Sequence, residues 1–244
     1  MPHRPLIAIT LDSRVEPAGS TSPRTYHTGS GYADAVADAG GAPILIGHHG
    51  DALDRVLDLA DGFIFTGGGD PDTTAFGEAT HPEARVVDPR RQAFELALLD
   101  RLDRPPHADT PVLGVCLGMQ LMALRGGAKL DQAMWESMGD DAAAAHAGFQ
   151  PHRVTVTAEA PMLPPPPFAG ETVSSHRQRI TDPGSLTAAA RADDGTIEAV
   201  WDAARPWRLG VQWHAERTRD ADTPLGWGLI RRLVEAAGRS RRAD

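Results

Sequence analysis

Apolar residues along this chain fall into two regimes. In the first half, short apolar runs of strand length alternate with longer stretches at helical spacing. Leu6–Thr10 is β-branched and predicts a first strand. Residues 13–28, rich in Gly, Pro and Ser, predict a loop. Residues 31–39 bring Tyr32, Ala35, Val36 and Ala39 onto one helical face, and Gly40-Gly41 stops that helix. Residues 43–46 predict a second strand, and 52–59 a helix carrying Leu53, Val56 and Leu57 together. Residues 62–66 predict a third strand, followed by the loop Gly67-Gly68-Gly69-Asp70-Pro71. After the irregular stretch 71–87, residues 89–102 predict a helix that buries Phe94, Leu96, Leu98, Leu99 and Leu102. The run 112–115 is a fourth buried strand. The residues after Cys116 read as a helix closed by Gly126-Gly127.

The second half lacks that alternation. Val154 and Val156 alternate with Thr155 and Thr157 as a strand, and residues 161–167 form a proline-rich loop. Residues 172–175, 186–191 and 197–201 predict further strands. Residues 207–213 predict the last strand, which runs into His214-Ala215-Glu216, and 225–237 a closing helix. Residues 133–150 are Ala-rich, with Met134, Trp135 and Met138, and show no clear period. The pattern predicts an α/β fold of three layers: a doubly wound, mostly parallel sheet covered on both faces, with extra antiparallel strands in the second half. No internal repeat or domain boundary is visible, so residues 1–244 are expected to form one domain. Sites in such sheets lie beyond the carboxyl ends of the strands. Residues 67–71 and Cys116 both fall at such ends and can share a crevice.

Composition narrows the function classes. Hydrophobic content of 41% supports a sizeable core, and a net charge of −9 argues against nucleic acid or an anionic membrane as partner. The basic residues Arg239, Arg241 and Arg242 read as a frayed terminus. No window reaches the apolar length of a membrane helix, and residues 1–5 lead into a strand without a signal-peptide core. A single cysteine excludes an intrachain disulfide, and the expected setting is a reducing cytoplasm. The 10 histidines are scattered, with no Cys/His cluster and no His-Glu-x-x-His helix, so spacing predicts no metal site and no cofactor.

The chemistry concentrates at Pro111-Val112-Leu113-Gly114-Val115-Cys116-Leu117-Gly118-Met119-Gln120. Cys116 sits at a strand-to-helix turn with glycine two positions before and two after, the pattern of a strained nucleophile elbow. A sulfur at a helix N-terminus faces the positive end of the helix dipole, which stabilises an anion there. A buried structural cysteine is the competing reading. A thiolate nucleophile needs a base, and His214 follows a strand whose end lies on the same sheet edge. In an extended segment Glu216 points the same way as His214 and can orient its imidazole. The backbone N–H of Leu117 and one from the triple-glycine loop are the candidate oxyanion donors. Phosphate binding by that loop is disfavoured, because no Gly-Lys-Ser/Thr follows and no helix opens directly after it.

Gly-Val-Cys-Leu-Gly-Met-Gln, Gly-Val-Gln-Trp-His-Ala-Glu and Thr-Gly-Gly-Gly-Asp-Pro together resemble the class I (triad) glutamine amidotransferases. Within them the chain most resembles the stand-alone γ-glutamyl hydrolases of the peptidase C26 kind. Further similarity lies in residues 32–36 and 39–43, in Asp88-Pro89-Arg90-Arg91 with Phe94-Glu95-Leu96, in residues 126–132, and in Val173-Ser174-Ser175-His176-Arg177-Gln178. The resemblance implies a flavodoxin-like sheet and hydrolysis of a γ-glutamyl amide through a thioester. Carried over by position, Cys116 is nucleophile, His214 base and later acid, and Glu216 orienter. Leu117 with Gly68 or Gly69 forms the oxyanion hole, while Gln120 and the backbone of Ser175-His176 hold the glutamyl group.

The chain departs from the aminobutyrate-type hydrolases at four positions. Leu117 replaces arginine, Gln92 an aspartate, Arg177 a second histidine and Ala215 a proline. The expected substrate is a small γ-glutamyl amine. Leu117 supports the alternative of a glutaminase subunit delivering ammonia to a synthetase partner, and a non-catalytic binding protein on the same fold is a third reading. Residues 12–30, 71–87 and 133–150 are expected to wall the site. A homodimer is the base-rate expectation for association.

Overall fold

The computed structural model describes residues 4–14, 24–219 and 223–240. The N-terminal tripeptide, the middle of the 13–28 loop, and Arg241 and Arg242 lie outside the described residues. In chain order the elements are β1 (Leu6–Thr10), β2 (Asp12–Ser13), β3 (Tyr26–His27), α1 (Ser30–Asp38), β4 (Ala42–Ile46), α2 (Leu53–Leu59) and β5 (Gly62–Phe65). Next come α3 (Pro89–Leu102), β6 (Val112–Val115), α4 (Leu117–Arg125), β7 (Lys129–Asp131), α5 (Met134–Ser137) and α6 (Asp140–Ala144). The remainder is β8 (Gln150–Val156), β9 (Phe168–Ser174), β10 (Arg179–Asp182), β11 (Thr187–Ala192), β12 (Ile197–Trp201), β13 (Arg208–Val211) and α7 (Trp227–Ser240).

Nine strands form one sheet in the order β4-β1-β5-β6-β13-β12-β11-β8-β9. The pairings from β4 through to β13 are parallel, and those from β13 to β9 antiparallel. The doubly wound α/β architecture with antiparallel strands in the second half is therefore as the apolar pattern predicts. Strands β5, β6 and β13 are buried at every position, as strands covered on both faces must be. Alternate residues divide between two layers. Ile7, Ile9, Ile64, Leu113 and Val115 pack with Tyr32 and Val36 of α1 and Leu229, Ile230 and Leu233 of α7. Ala8, Phe63, Phe65 and Val112 pack with Leu57 of α2, Phe94 and Leu98 of α3, and Leu121 of α4.

Local signals set the helix ends. Asp88 caps α3 by accepting from the Arg90 N–H at 3.0 Å, and Pro89 occupies the first turn, where its missing N–H costs nothing. Leu96, expected in the core, is only partly buried. Residues 133–150 resolve into two short helices and the loop that enters β8. The antiparallel ribbon of β7 and β10 is an addition to the predicted elements.

Arg91 ties α3 to the end of β5. It is fully buried, pairs with Glu95 at 2.9 Å and with Asp12 at 3.2 Å, and donates to the carbonyl oxygens of Thr66 and Gly67 at 2.7 and 3.0 Å. Removing one member of a buried pair leaves the other charge uncompensated. Arg91→Met is thus expected to cost about 3–5 kcal/mol in urea unfolding, and the double variant Arg91→Met/Glu95→Leu to recover much of that loss. A double variant no more stable than Arg91→Met would contradict the pairing.

Candidate active site

The elbow is built by close approach. At Cys116 the backbone takes φ 50° and ψ −102°, a strained conformation for a residue with a Cβ. A Cβ on Gly114 would fall 2.6 Å from Met122 Sδ and 2.7 Å from the Gly118 carbonyl carbon, and one on Gly118 would fall 2.4 Å from the Phe65 carbonyl oxygen. Both flanking glycines are therefore needed for α4 to turn back onto the sheet. Strand β13 runs parallel to β6 with Val211 opposite Val115, and the Cys116 N–H donates to Val211 O at 2.8 Å. Both chains leave the sheet at the same edge, which brings His214 to the elbow.

His214 Nδ1 lies 2.8 Å from Glu216 Oε1. The ring shares the space beside Gly67 with Cys116: from where a Gly67 Cβ would sit, Cys116 Cβ is 3.5 Å away and His214 Cε1 2.8 Å. The alignment arises differently from the extended segment expected of the sequence. Ala215–Arg217 is a 3-10 turn, and the turn folds Glu216 back under the ring. Burial pulls the imidazole pKa down. Hydrogen bonds to Cys116 and Glu216, with the charges of both, outweigh burial and push it up to about 10. Phe149, itself at φ 59°, packs edge-on against the His214 ring at 5.1 Å between centroids, and the Arg217 guanidinium covers Phe149 at 3.5 Å.

Gln212 lies within the Gly-Val-Gln-Trp-His-Ala-Glu motif, where the sequence assigns it no role, yet its Nε2 donates to Cys116 Sγ at 3.4 Å. Gln120 Nε2 in turn donates to Gln212 Oε1 at 3.2 Å. Gln212 stands two residues from His214 on the strand end, and that alternation was the available signal. Gln120 is buried, not a helix-surface amide.

The triple-glycine loop fits around the protein's own groups. A Cβ on Gly67 would lie 2.8 Å from His214 Cε1, one on Gly68 would lie 2.4 Å from Arg91 Nη1, and one on Gly69 would lie 2.4 Å from Arg85 O. The Gly67 N–H is taken by the Tyr32 hydroxyl at 3.0 Å and the Asp70 N–H by Arg85 O at 2.8 Å. Gln92 fastens the loop's far end by accepting from the Asp72 N–H at 2.8 Å and donating to Asp72 O at 2.9 Å. An aspartate at position 92 could not make the second bond.

A cavity of about 530 Å³ brings Cys116, Gly68, Gly69, Gln120, Ser175 and His176 together. Arg85 from the 71–87 stretch and Trp135, Asp140 and Ala147 from the 133–150 stretch form its walls, as expected. Asp12, His27 and Gly29 border a smaller space on the far side of His214. Leu117 corrects the sequence reading. Its side chain is fully buried in the core beside Phe65, Phe94 and Leu121, so it carries no information about the substrate. The His176 N–H is already committed to His146 O at 2.9 Å, which removes it as a donor to a glutamyl group. His146, His152 and His176, distant in sequence, all converge on the buried carboxylate of Glu198. Among the described residues no helix is long and apolar enough to cross a membrane.

A cysteine elbow at the carboxyl edge of this mixed nine-stranded sheet defines an α/β protein with the class I glutamine amidotransferase fold. The chain belongs to the Peptidase C26 family, whose model matches residues 5–216. It is 29% identical over 249 residues to Rv2859c of Mycobacterium tuberculosis, which is named for the glutamine amidotransferases, covering 99% of this chain and 79% of that one. It is 28% identical over 202 residues to the gamma-glutamyl-gamma-aminobutyrate hydrolase of Escherichia coli O157:H7, covering 76% of each. Among solved structures, a glutamine amidotransferase from Thermotoga maritima matches with a TM-score of 0.64 at 13% identity, covering 97% of this chain and 99% of that one. Family membership supports hydrolase activity of the γ-glutamyl or amidotransferase-like kind.

The raised pKa gives a direct test. Because the folded value lies above the ordinary 6.5, His214 stays an imidazolium at neutral pH and sheds its proton only as pH climbs toward about 10. Cys116→Ala removes one of the two raising partners, so the transition moves to lower pH. Nitrogen-detected NMR of the imidazole checks both statements. A ring that is neutral at pH 7 and indifferent to Cys116→Ala would refute them.

Proposed function

We propose that this protein is a cysteine-dependent hydrolase of γ-glutamyl amide bonds. The reading is carried by one observation: Cys116, held in a strained elbow, stands beside Gly67 together with a His214 that Glu216 fixes at 2.8 Å. The Cys116 thiolate attacks the γ-carbonyl carbon of the substrate. Negative charge gathers on the carbonyl oxygen, facing the Leu117 N–H at the start of α4 and the Gly68 or Gly69 N–H. His214 gives its proton to the amine nitrogen as the C–N bond breaks, leaving a thioester on Cys116. Neutral His214 then takes a proton from water. The hydroxide attacks the thioester carbon, the C–S bond breaks, and glutamate and the thiolate are released with the imidazolium restored.

Gln212 donates to the sulfur in the resting state and Gln120 holds Gln212 in place. Glu216 keeps the imidazole in one orientation and stabilises its charge. The cavity is lined by Arg85 and Arg177 together with Asp70 and Asp140, a mixed-charge wall suited to a substrate bearing an α-ammonium and carboxylates. The relative named for γ-glutamyl-γ-aminobutyrate hydrolysis supports an amine of that size as leaving group. The glutaminase-subunit alternative loses the Leu117 side chain as its support.

Incubating the purified chain with glutamine, γ-glutamyl-γ-aminobutyrate and other γ-glutamyl amines is expected to release glutamate and to give a glutamyl adduct on Cys116 by mass spectrometry. Cys116→Ala abolishes both, and His214→Ala lowers kcat/KM by about 10²–10⁴-fold. Glu216→Gln has a smaller effect, since Glu216 moves no proton. Unchanged turnover in Cys116→Ala would end the mechanism.

A further inference from the structure

The strongest feature outside the elbow is the buried group of His146, His152, His176 and Glu198. His146 Nδ1, His152 Nε2 and His176 Nε2 lie 3.2, 3.4 and 3.5 Å from the same oxygen, Glu198 Oε1. Glu198 is fully buried, and none of these approaches has the alignment of a hydrogen bond. One potential ligand atom from each of His146, His176 and Glu198 falls within a sphere of mutual distances below 4.8 Å.

The proton positions make the arrangement informative. His176 Nδ1 lies 2.9 Å from Gln178 O, a carbonyl that can only accept, so Nδ1 carries the hydrogen. His146 Nε2 lies 2.8 Å from Asp194 Oδ2, a carboxylate that likewise fixes the hydrogen on that nitrogen. In the neutral rings the lone pairs of His176 Nε2 and His146 Nδ1 therefore face a carboxylate oxygen. Lone pair against anion is repulsive in a buried space unless the ring takes a second proton or a metal cation lies between them. The outer contacts are the ones that metal-binding histidines make, with the second ring nitrogen bonded to a carboxylate or a backbone carbonyl. Ligands at Zn–N and Zn–O lengths of about 2.0–2.2 Å on a tetrahedron are about 3.3–3.5 Å apart, and His146 Nδ1 and His176 Nε2 stand 3.2 and 3.5 Å from Glu198 Oε1.

We propose that His146, His176 and Glu198 form a Zn²⁺ site. Two imidazole nitrogens and a carboxylate oxygen suit this ion. The ion ties the segment after α6, the turn after β9 and strand β12 to one point. It thereby anchors Ser175, His176 and Gly148, which line the Cys116 cavity, from behind. Sequence spacing could not reveal it, because the three ligands stand on three separate segments.

The test uses the full chain carrying Cys116→Ala, so that no thiolate competes for metal, and it needs no substrate; it is therefore independent of the hydrolase reading. After chelator treatment and dialysis, Zn²⁺ titrated by calorimetry should bind at one equivalent per chain. Co²⁺ at the same site should give the intense visible absorption of tetrahedral coordination. Asp194→Asn keeps all three ligands and is partly exposed, so its fold is not at risk; it should weaken Zn²⁺ binding about 10–100-fold. His146→Asn should abolish the stoichiometric binding, with circular dichroism reporting that the chain remains folded. Absence of saturable binding to the parent chain would overturn the proposal. So would affinity unchanged in both Asp194→Asn and His146→Asn, or NMR showing His146 and His176 as doubly protonated rings after addition of one equivalent of Zn²⁺.

Discussion

Gly114 and Gly210 lie opposite one another on β6 and β13, and the absence of two side chains at that point is the constraint on which the rest depends. A Cβ on Gly210 would reach Met119 Cγ at 2.9 Å, and one on Gly114 would reach the backbone of Gly118 at 2.7 Å. The paired glycines form a flat floor on which α4 sits. A helix held that low points its first N–H groups across the end of β6, and the chain can reach it only through the strained turn at Cys116. The same strand pairing delivers His214 from a segment almost a hundred residues away. A one-residue slip between β6 and β13 would send the two chemistries to opposite faces of the sheet.

The second support is electrostatic. Arg91, fully buried, is balanced by Glu95 and Asp12 and spends its remaining donors on the carbonyls that open the triple-glycine loop. Loop shape and core stability are thus the same interaction seen from two sides. Each glycine of the loop presses on a different neighbour, namely His214, Arg91 and Arg85. Close packing, as much as substrate access, accounts for the run of three.

Elements that bury on both faces were legible in the sequence. The bounds of β6, α3 and β12 follow directly from a short apolar run, an Asp-Pro start and an apolar run broken only by Glu198. The ribbon of β7 and β10 was not, because three or four half-exposed, largely polar residues carry no apolar period. Strand β9 begins at Phe168, straight after the proline run, and only its last residues are buried, which hid its first half. At the site, the residues marked by glycine spacing and by His-x-Glu were readable. Contacts made across long separations were not. Gln212 on Cys116, Tyr32 on Gly67 and the three histidines around Glu198 exist only once the sheet has closed.

The family match ends at residue 216, but the sheet does not end there as a folded object. Leu229, Ile230, Leu233, Val234 and Ala237 of α7 roof the face made by Ile7, Ile9, Ile64 and Leu113, and the Trp213 indole N–H donates to Leu225 O at 2.7 Å. The stretch that defines kinship and the stretch that defines the folding unit are therefore different lengths. A gene segment cut to the shared region would retain every residue of the elbow and its partners, and would strip α7 from one side of the sheet, leaving the apolar residues beneath that helix open to water.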